Sequence, residues 1–137
     1  WDLVVRVDHA NLGLVLDAFH FIAGGQALDI LNAIPPEKIS LVQLADFSVP
    51  VFQERSEGNA DHMRVFPGDG VLHEAVAAFV RHVDWMGYAG DYSLLVFNED
   101  YRQLPAHAVA RLGARSMAWV NTQVLRRRLP LNRLRLG

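Results

Sequence analysis

An aspartate closes an apolar run at Asp17, and a histidine follows three residues later at His20, in the stretch LGLVLDAFHF. Farther along, an amide sits between Val42 and Leu44 at Gln43 in KISLVQLADF, and Arg64 precedes VFPGDG. Carboxylate and amide oxygens suit a hard divalent cation, imidazole transfers protons near neutral pH, and a guanidinium binds anionic or carbonyl oxygen. Each residue also has a plainer reading. Asp17 can start a turn or cap a helix, and His20, flanked by Phe19 and Phe21, can be a half-buried hydrogen-bonding ring. Gln43 can belong to a structural network and Arg64 can be a solvated loop charge. With no cysteine in the chain, any metal must rest on oxygen or imidazole ligands.

The elements that would position these groups follow from hydrophobic period. Trp1 to Val7 reads as the end of a helix, and Asn11 and Gly13 lead into Leu12 to Leu16, an apolar run typical of a strand buried on both faces. After Gly24 and Gly25, residues 27–34 fit a short helix stopped by Pro35 and Pro36, and Ile39 to Leu44 reads as a second strand. The long segment 47–70 carries three glycines and two prolines, the profile of a functional connection. Leu72, Val76, Phe79, Val80 and Val83 then mark an amphipathic helix, Tyr92 to Phe97 a third buried strand, and residues from about Pro105 to Arg126 a final helix.

Strands alternating with helices argue for a parallel sheet with right-handed crossovers. Three units leave two apolar edges open, which favours part of an eight-stranded α/β barrel over a freestanding sheet. No GxGxxG or GxxxxGK[ST] pattern follows a strand, which weighs against nucleotide binding. In a barrel, chemistry gathers at the carboxyl ends of the strands, where Asp17, Gln43 and the run Asn98, Glu99, Asp100 lie.

The chain has 137 residues, is 51% hydrophobic and carries a formal charge of -2, the profile of one globular unit. Its apolar runs are too short for a membrane span, no signal peptide is recognisable, and a cytoplasmic setting is the expectation. Five arginines fall within the last twelve residues, so 126–137 reads as an Arg-rich tail or linker beyond a domain at 1–125. That tail has no aromatic residue and no lysine, which argues against nucleic-acid binding. The first residue is Trp1, which suggests a segment excised from a longer chain.

Taken together, LGLVLDAFHF, KISLVQLADF, MRVFPGDGVL and GYAGDYSLLVFNEDYR resemble the carboxyl-terminal half of the xylose-isomerase-like sugar phosphate isomerase/epimerase superfamily, with greatest similarity to bacterial 3-dehydroshikimate dehydratases. The resemblance implies a partial (β/α)8 TIM barrel, roughly strands five to eight, with one strand near PGDG poorly defined. It implies Asp17 and Gln43 as metal ligands, His20 as a proton-transfer residue and Arg64 as a substrate-contacting residue. A divalent ion, Mg, Mn or Co, would polarise the ketone of a small carbonyl or sugar-like substrate and stabilise an enolate during dehydration to protocatechuate. Implied partners are the amino-terminal half-barrel, or self-association in its place, and a carboxyl-terminal domain similar to 4-hydroxyphenylpyruvate dioxygenase.

Leu95 departs from that pattern. SLLVFN stands where the family carries SLEIFN, so a leucine replaces a metal-binding glutamate, and another glutamate ligand belongs to a strand upstream of Trp1. Glu99 could stand in only through a changed loop path. The competing expectation is therefore a degenerate half-barrel that has lost its metal and serves as a binding or structural module.

Overall fold

Alternation along three short strands determines the architecture, because each sends every second side chain into a helical layer and the others to the opposite face. The computed structural model describes residues 1–49 and 60–127. It opens with α1 (Asp2–Val7), followed by β1 (Leu14–Asp17) and α2 (Ala18–Ala23). Two 3-10 turns, Leu28–Ala33 and Pro36–Lys38, lead into β2 (Ile39–Leu44), then β3 (Asp46–Phe47). The 3-10 turn Ala60–Met63 precedes β4 (Arg64–Val65), α3 (His73–Trp85), β5 (Tyr92–Leu94), α4 (Glu99–Arg102) and α5 (Ala106–Trp119). A π turn, Val120–Val124, continues α5.

The main sheet has the order β1-β2-β5, all parallel. Leu16, Val42 and Tyr92 are register partners, and with Leu44 and Leu94 they pack against Phe79, Val80 and Val83 of α3. Spacing of three and four residues puts Val76, Phe79, Val80 and Val83 on one helical stripe, and all four are buried. On the opposite face stand Val15 with Leu41, and Asp17 with Gln43 and Ser93.

Several expectations are refined. The first strand is not buried on both faces: Val15 is 54% exposed, because the inner face of this sheet has no covering layer among the described residues and β1 is an edge. The short helix expected over 27–34 is a 3-10 element at Leu28–Ala33, and the third strand ends at Leu94, leaving Phe97 half-exposed. The region of PGDG adds no strand to the parallel sheet. It follows β4, which pairs antiparallel with β3 in a separate ladder, while β5 lies directly beside β2. The final helix ends close to expectation, where Arg126 takes a left-handed conformation (φ 53°). Most of the tail, residues 128–137, and residues 50–59 of the long connection lie outside the described residues. No helix among the described residues is long and apolar enough to cross a membrane.

Asp46 anchors the PGDG turn. Its buried carboxylate accepts hydrogen bonds from the backbone N–H of Phe47 (2.7 Å), Gly68 (3.2 Å), Gly70 (3.2 Å) and Leu72 (3.1 Å). Four donors supply the polar contacts that a buried carboxylate requires. Gly70 is obligatory, since a Cβ there would overlap both that carboxylate and the Phe47 carbonyl. Helix α5 holds the outer side of the turn: Ser116 Oγ donates to the Pro67 carbonyl at 2.7 Å, and Arg115 grips both carboxylate oxygens of Asp69.

Two measurements check this packing. Asp46→Ala strands donors that each cost about 1–3 kcal/mol when buried and unpaired, so urea denaturation should show a loss of several kcal/mol. The second concerns Tyr92, whose hydroxyl is buried with no hydrogen-bond partner among the described residues. Burial, helped by Asp84 and opposed by Arg127, pushes its phenol up to about 12. An unfolded tyrosine ionises near 10, so between about pH 10 and 12 the unfolded chain sheds a proton that the folded chain keeps. The associated stability is intact below about pH 10 and falls as pH rises toward 12. Tyr92→Phe should reduce the loss between urea denaturations at pH 8 and 11 and cost nothing at pH 8. Tyr88 and Tyr101, also raised by burial, account for a residual decline.

Candidate active site at the strand ends

Asp17 terminates β1 and is simultaneously the N-cap of α2, so the turn-former reading and the strand-end reading describe one residue. Its Oδ1 accepts from the backbone N–H of Phe19 at 2.8 Å and of His20 at 3.3 Å. Its Oδ2 faces the other way and pairs with Arg64 Nη1 at 3.0 Å. Capping thus fixes the carboxylate rotamer and aims one oxygen at the site.

Arg64 reaches that oxygen from β4. The Phe47↔Arg64 register pair and the stacking of Phe19 on Phe47 at 4.1 Å bring its guanidinium to the carboxyl ends of β1 and β5. The guanidinium carbon lies 4.2 Å from the Phe19 ring centroid, and Nη1 also reaches the Leu95 carbonyl at 3.5 Å. Nη2 is 3.1 Å from His20 Nε2. Arg64 is only 1% exposed, the largest fully buried side chain among the described residues. A charge so removed from water requires a counter-ion and directional acceptors, and Asp17, His20 and Leu95 supply them. Asn98 secures the strand that carries it, donating from Nδ2 to the Arg64 carbonyl at 3.0 Å while its Oδ1 caps α4 through Asp100 N–H.

The four predicted residues separate as follows. Asp17, Arg64 and His20 form one contiguous cluster, with His20 at 67% side-chain exposure forming its open side. Gln43 stands beside Asp17 on the neighbouring strand, in register and on the same sheet face. Arg64, expected to face substrate, has both terminal nitrogens engaged within the protein. Glu99 does not turn inward: it pairs with Arg102 at 2.9 Å on the surface of α4. Leu95 extends the ladder by donating its N–H to the Leu44 carbonyl at 3.0 Å, two residues past Ser93, and offers no side-chain donor. Asp46 and the Phe19–Phe47 stack were missed because nothing in their local sequence marks contacts with chain more than twenty residues away.

The donor chemistry fits a divalent ion in part. A carboxylate oxygen from Asp17 and an amide oxygen from Gln43, on adjacent strands, suit two positions around a hard or borderline cation. No cluster of three or more His, Asp or Glu side chains with metal-binding geometry occurs among the described residues, so Asp17 and Gln43 do not by themselves complete a metal site.

The sequence of residues 1–121 matches a family model described as a xylose isomerase-like TIM barrel. The chain belongs to this xylose isomerase-like TIM-barrel family. It is 41% identical over 121 residues to a 3-dehydroshikimate dehydratase of Pseudomonas aeruginosa, covering 88% of the chain and 18% of the relative. An inosose isomerase of Bacillus licheniformis is 30% identical, over 81% of the chain and 38% of its own length. Among solved structures, a xylose isomerase-like TIM barrel/4-hydroxyphenylpyruvate dioxygenase fusion protein superposes with a TM-score of 0.79 at 35% identity, over 92% of the chain and 20% of the fusion. The IOLI protein with a bound zinc atom superposes at 0.74 and 25% identity, over 90% and 42%. The chain therefore spans less than half the length of these xylose isomerase-like relatives, and its described strands are a portion of a barrel.

Breaking the central pair tests the cluster. Arg64→Met removes the partner of a nearly buried carboxylate and should cost about 3–5 kcal/mol in urea denaturation. His20→Ala, at an exposed position, should cost under about 1 kcal/mol.

Proposed function

We propose that the chain supplies the carboxyl-terminal part of a divalent-metal-dependent site of the sugar phosphate isomerase/epimerase type, most similar to 3-dehydroshikimate dehydratase. The observation carrying this reading is the in-register placement of Asp17 and Gln43 at adjacent strand ends, with His20 and Arg64 grouped around the same carboxylate. Support comes from the two kinds of relative, dehydratase and isomerase, and from the zinc bound in the IOLI protein.

Asp17 and Gln43 would hold the ion, which when bound supplies Lewis acidity toward a substrate carbonyl. The remaining roles belong to the chain. Asp17 is oriented by its cap bonds and by Arg64, so that its position does not depend on the ion. His20 stands at the solvent edge, within reach of a small polar substrate, where it is the candidate for proton handling as 3-dehydroshikimate loses water to give protocatechuate. The site would take its other ligands and its second wall from an amino-terminal half-barrel, and a dioxygenase-like domain, present in the fusion relative, is the proposed carboxyl-terminal partner.

Leu95 favours a second reading, a barrel portion whose site has decayed to a binding or structural role. Thermal denaturation with Mn or Co separates the two, since an ion bound only to the folded state raises its stability. The enzyme reading expects a saturable rise in Tm that Asp17→Asn abolishes and Leu95→Glu enlarges. No rise at millimolar metal, together with no formation of protocatechuate by Leu95→Glu, rejects it.

A further inference from the structure

The contact between Arg64 Nη2 and His20 Nε2 has a consequence for which ring nitrogen carries the proton. A guanidinium has donors only, so at 3.1 Å the imidazole Nε2 must accept. An Nε2–H would oppose the Nη2–H, and Asp17 Oδ2, at 4.0 Å, is too distant to receive it. In the neutral ring the proton then resides on Nδ1. We infer that Arg64 is a positioning residue that holds His20 as the Nδ1–H tautomer, so that His20 meets a substrate oxygen as a neutral hydrogen-bond donor and not as the proton-abstracting base.

This assignment rests on the proposed use of the strand-end cluster as an active site and replaces proton transfer by His20 with hydrogen bonding. While Nε2 is committed to Arg64, the ring has no free lone pair with which to take a proton. Its Nδ1–H can polarise a carbonyl or steady a hydroxyl without leaving the ring, a role in which no bond to hydrogen is broken. The proton lost in a dehydration must then be taken by another group. The arrangement is held from both sides: the guanidinium lies on the Phe19 ring and its other terminal nitrogen is paired with Asp17. Backbone capping by the same aspartate fixes the start of the helix that carries His20. The tautomer is therefore set by groups that also hold the main chain at residue 20.

Long-range proton–nitrogen correlation spectra of the nitrogen-15-labelled chain at about pH 8, where an ordinary histidine is neutral, read the tautomer directly. His20 is assigned by the signals that vanish in His20→Gln. The expected pattern has Nε2 with the shift of an unprotonated ring nitrogen and Nδ1 with that of a protonated one. Arg64→Met should relax it toward a mixture of tautomers. A wild-type His20 protonated on Nε2 overturns the assignment, whether or not Arg64→Met folds. The spectrum is recorded without added metal: an Nε2–H tautomer with an intact metal response refutes only this inference, whereas an Nδ1–H tautomer without a metal response refutes the functional reading and leaves Arg64 in its positioning role.

Discussion

A guanidinium buried at the end of a sheet cannot be neutralised by losing its proton, so the surroundings of Arg64 must supply charge and acceptors in fixed places. Asp17 provides the charge, His20 and the Leu95 carbonyl provide acceptors, and Phe19 provides a ring face. These contacts tie β1, the start of α2, the β3–β4 ladder and the residue after β5 to a single side chain. Burial strengthens the contacts to Asp17 and to the Leu95 carbonyl, while His20 accepts from the exposed side of the cluster.

The side ladder is what brings Arg64 there, and the ladder depends on Asp46. By collecting four backbone N–H groups, that carboxylate folds the Pro67–Gly68–Asp69–Gly70 turn back onto β3, and α5 closes over it through Ser116 and Arg115. Two acidic residues, one buried and one partly buried, thus divide the work. Asp46 shapes a loop, and Asp17 joins a helix cap to an ion pair. Within PGDG, Gly70 permits the close approach of backbone to Asp46, while Gly68, in a left-handed conformation, lies against the Trp119 ring.

Leu95 acquires a structural meaning in this setting. Its side chain stands where the family resemblance implies a carboxylate, and its backbone carbonyl takes part in holding Arg64. The cation that faces Asp17 across the strand ends is therefore the arginine, with Gln43 alongside as a second oxygen donor.

Hydrophobic period alone determined much of the frame. The bounds of β2, the stripe Val76, Phe79, Val80 and Val83, and the alternation of strand with helix are local properties, legible because side-chain direction repeats along one element. The strand-end position of Asp17 was equally legible, since an apolar run and its polar stop adjoin in sequence. The exposed inner face of β1, the 3-10 form of residues 28–33 and the antiparallel ladder at PGDG were not, because each depends on which other segments lie nearby. Most of all, only the tertiary structure decided that Arg64 is buried beside Asp17 and His20, 47 and 44 residues away in sequence. Arginine type and loop context are the same for a solvated charge and for a buried pair, and the difference lies wholly in the burial and partners that packing supplies.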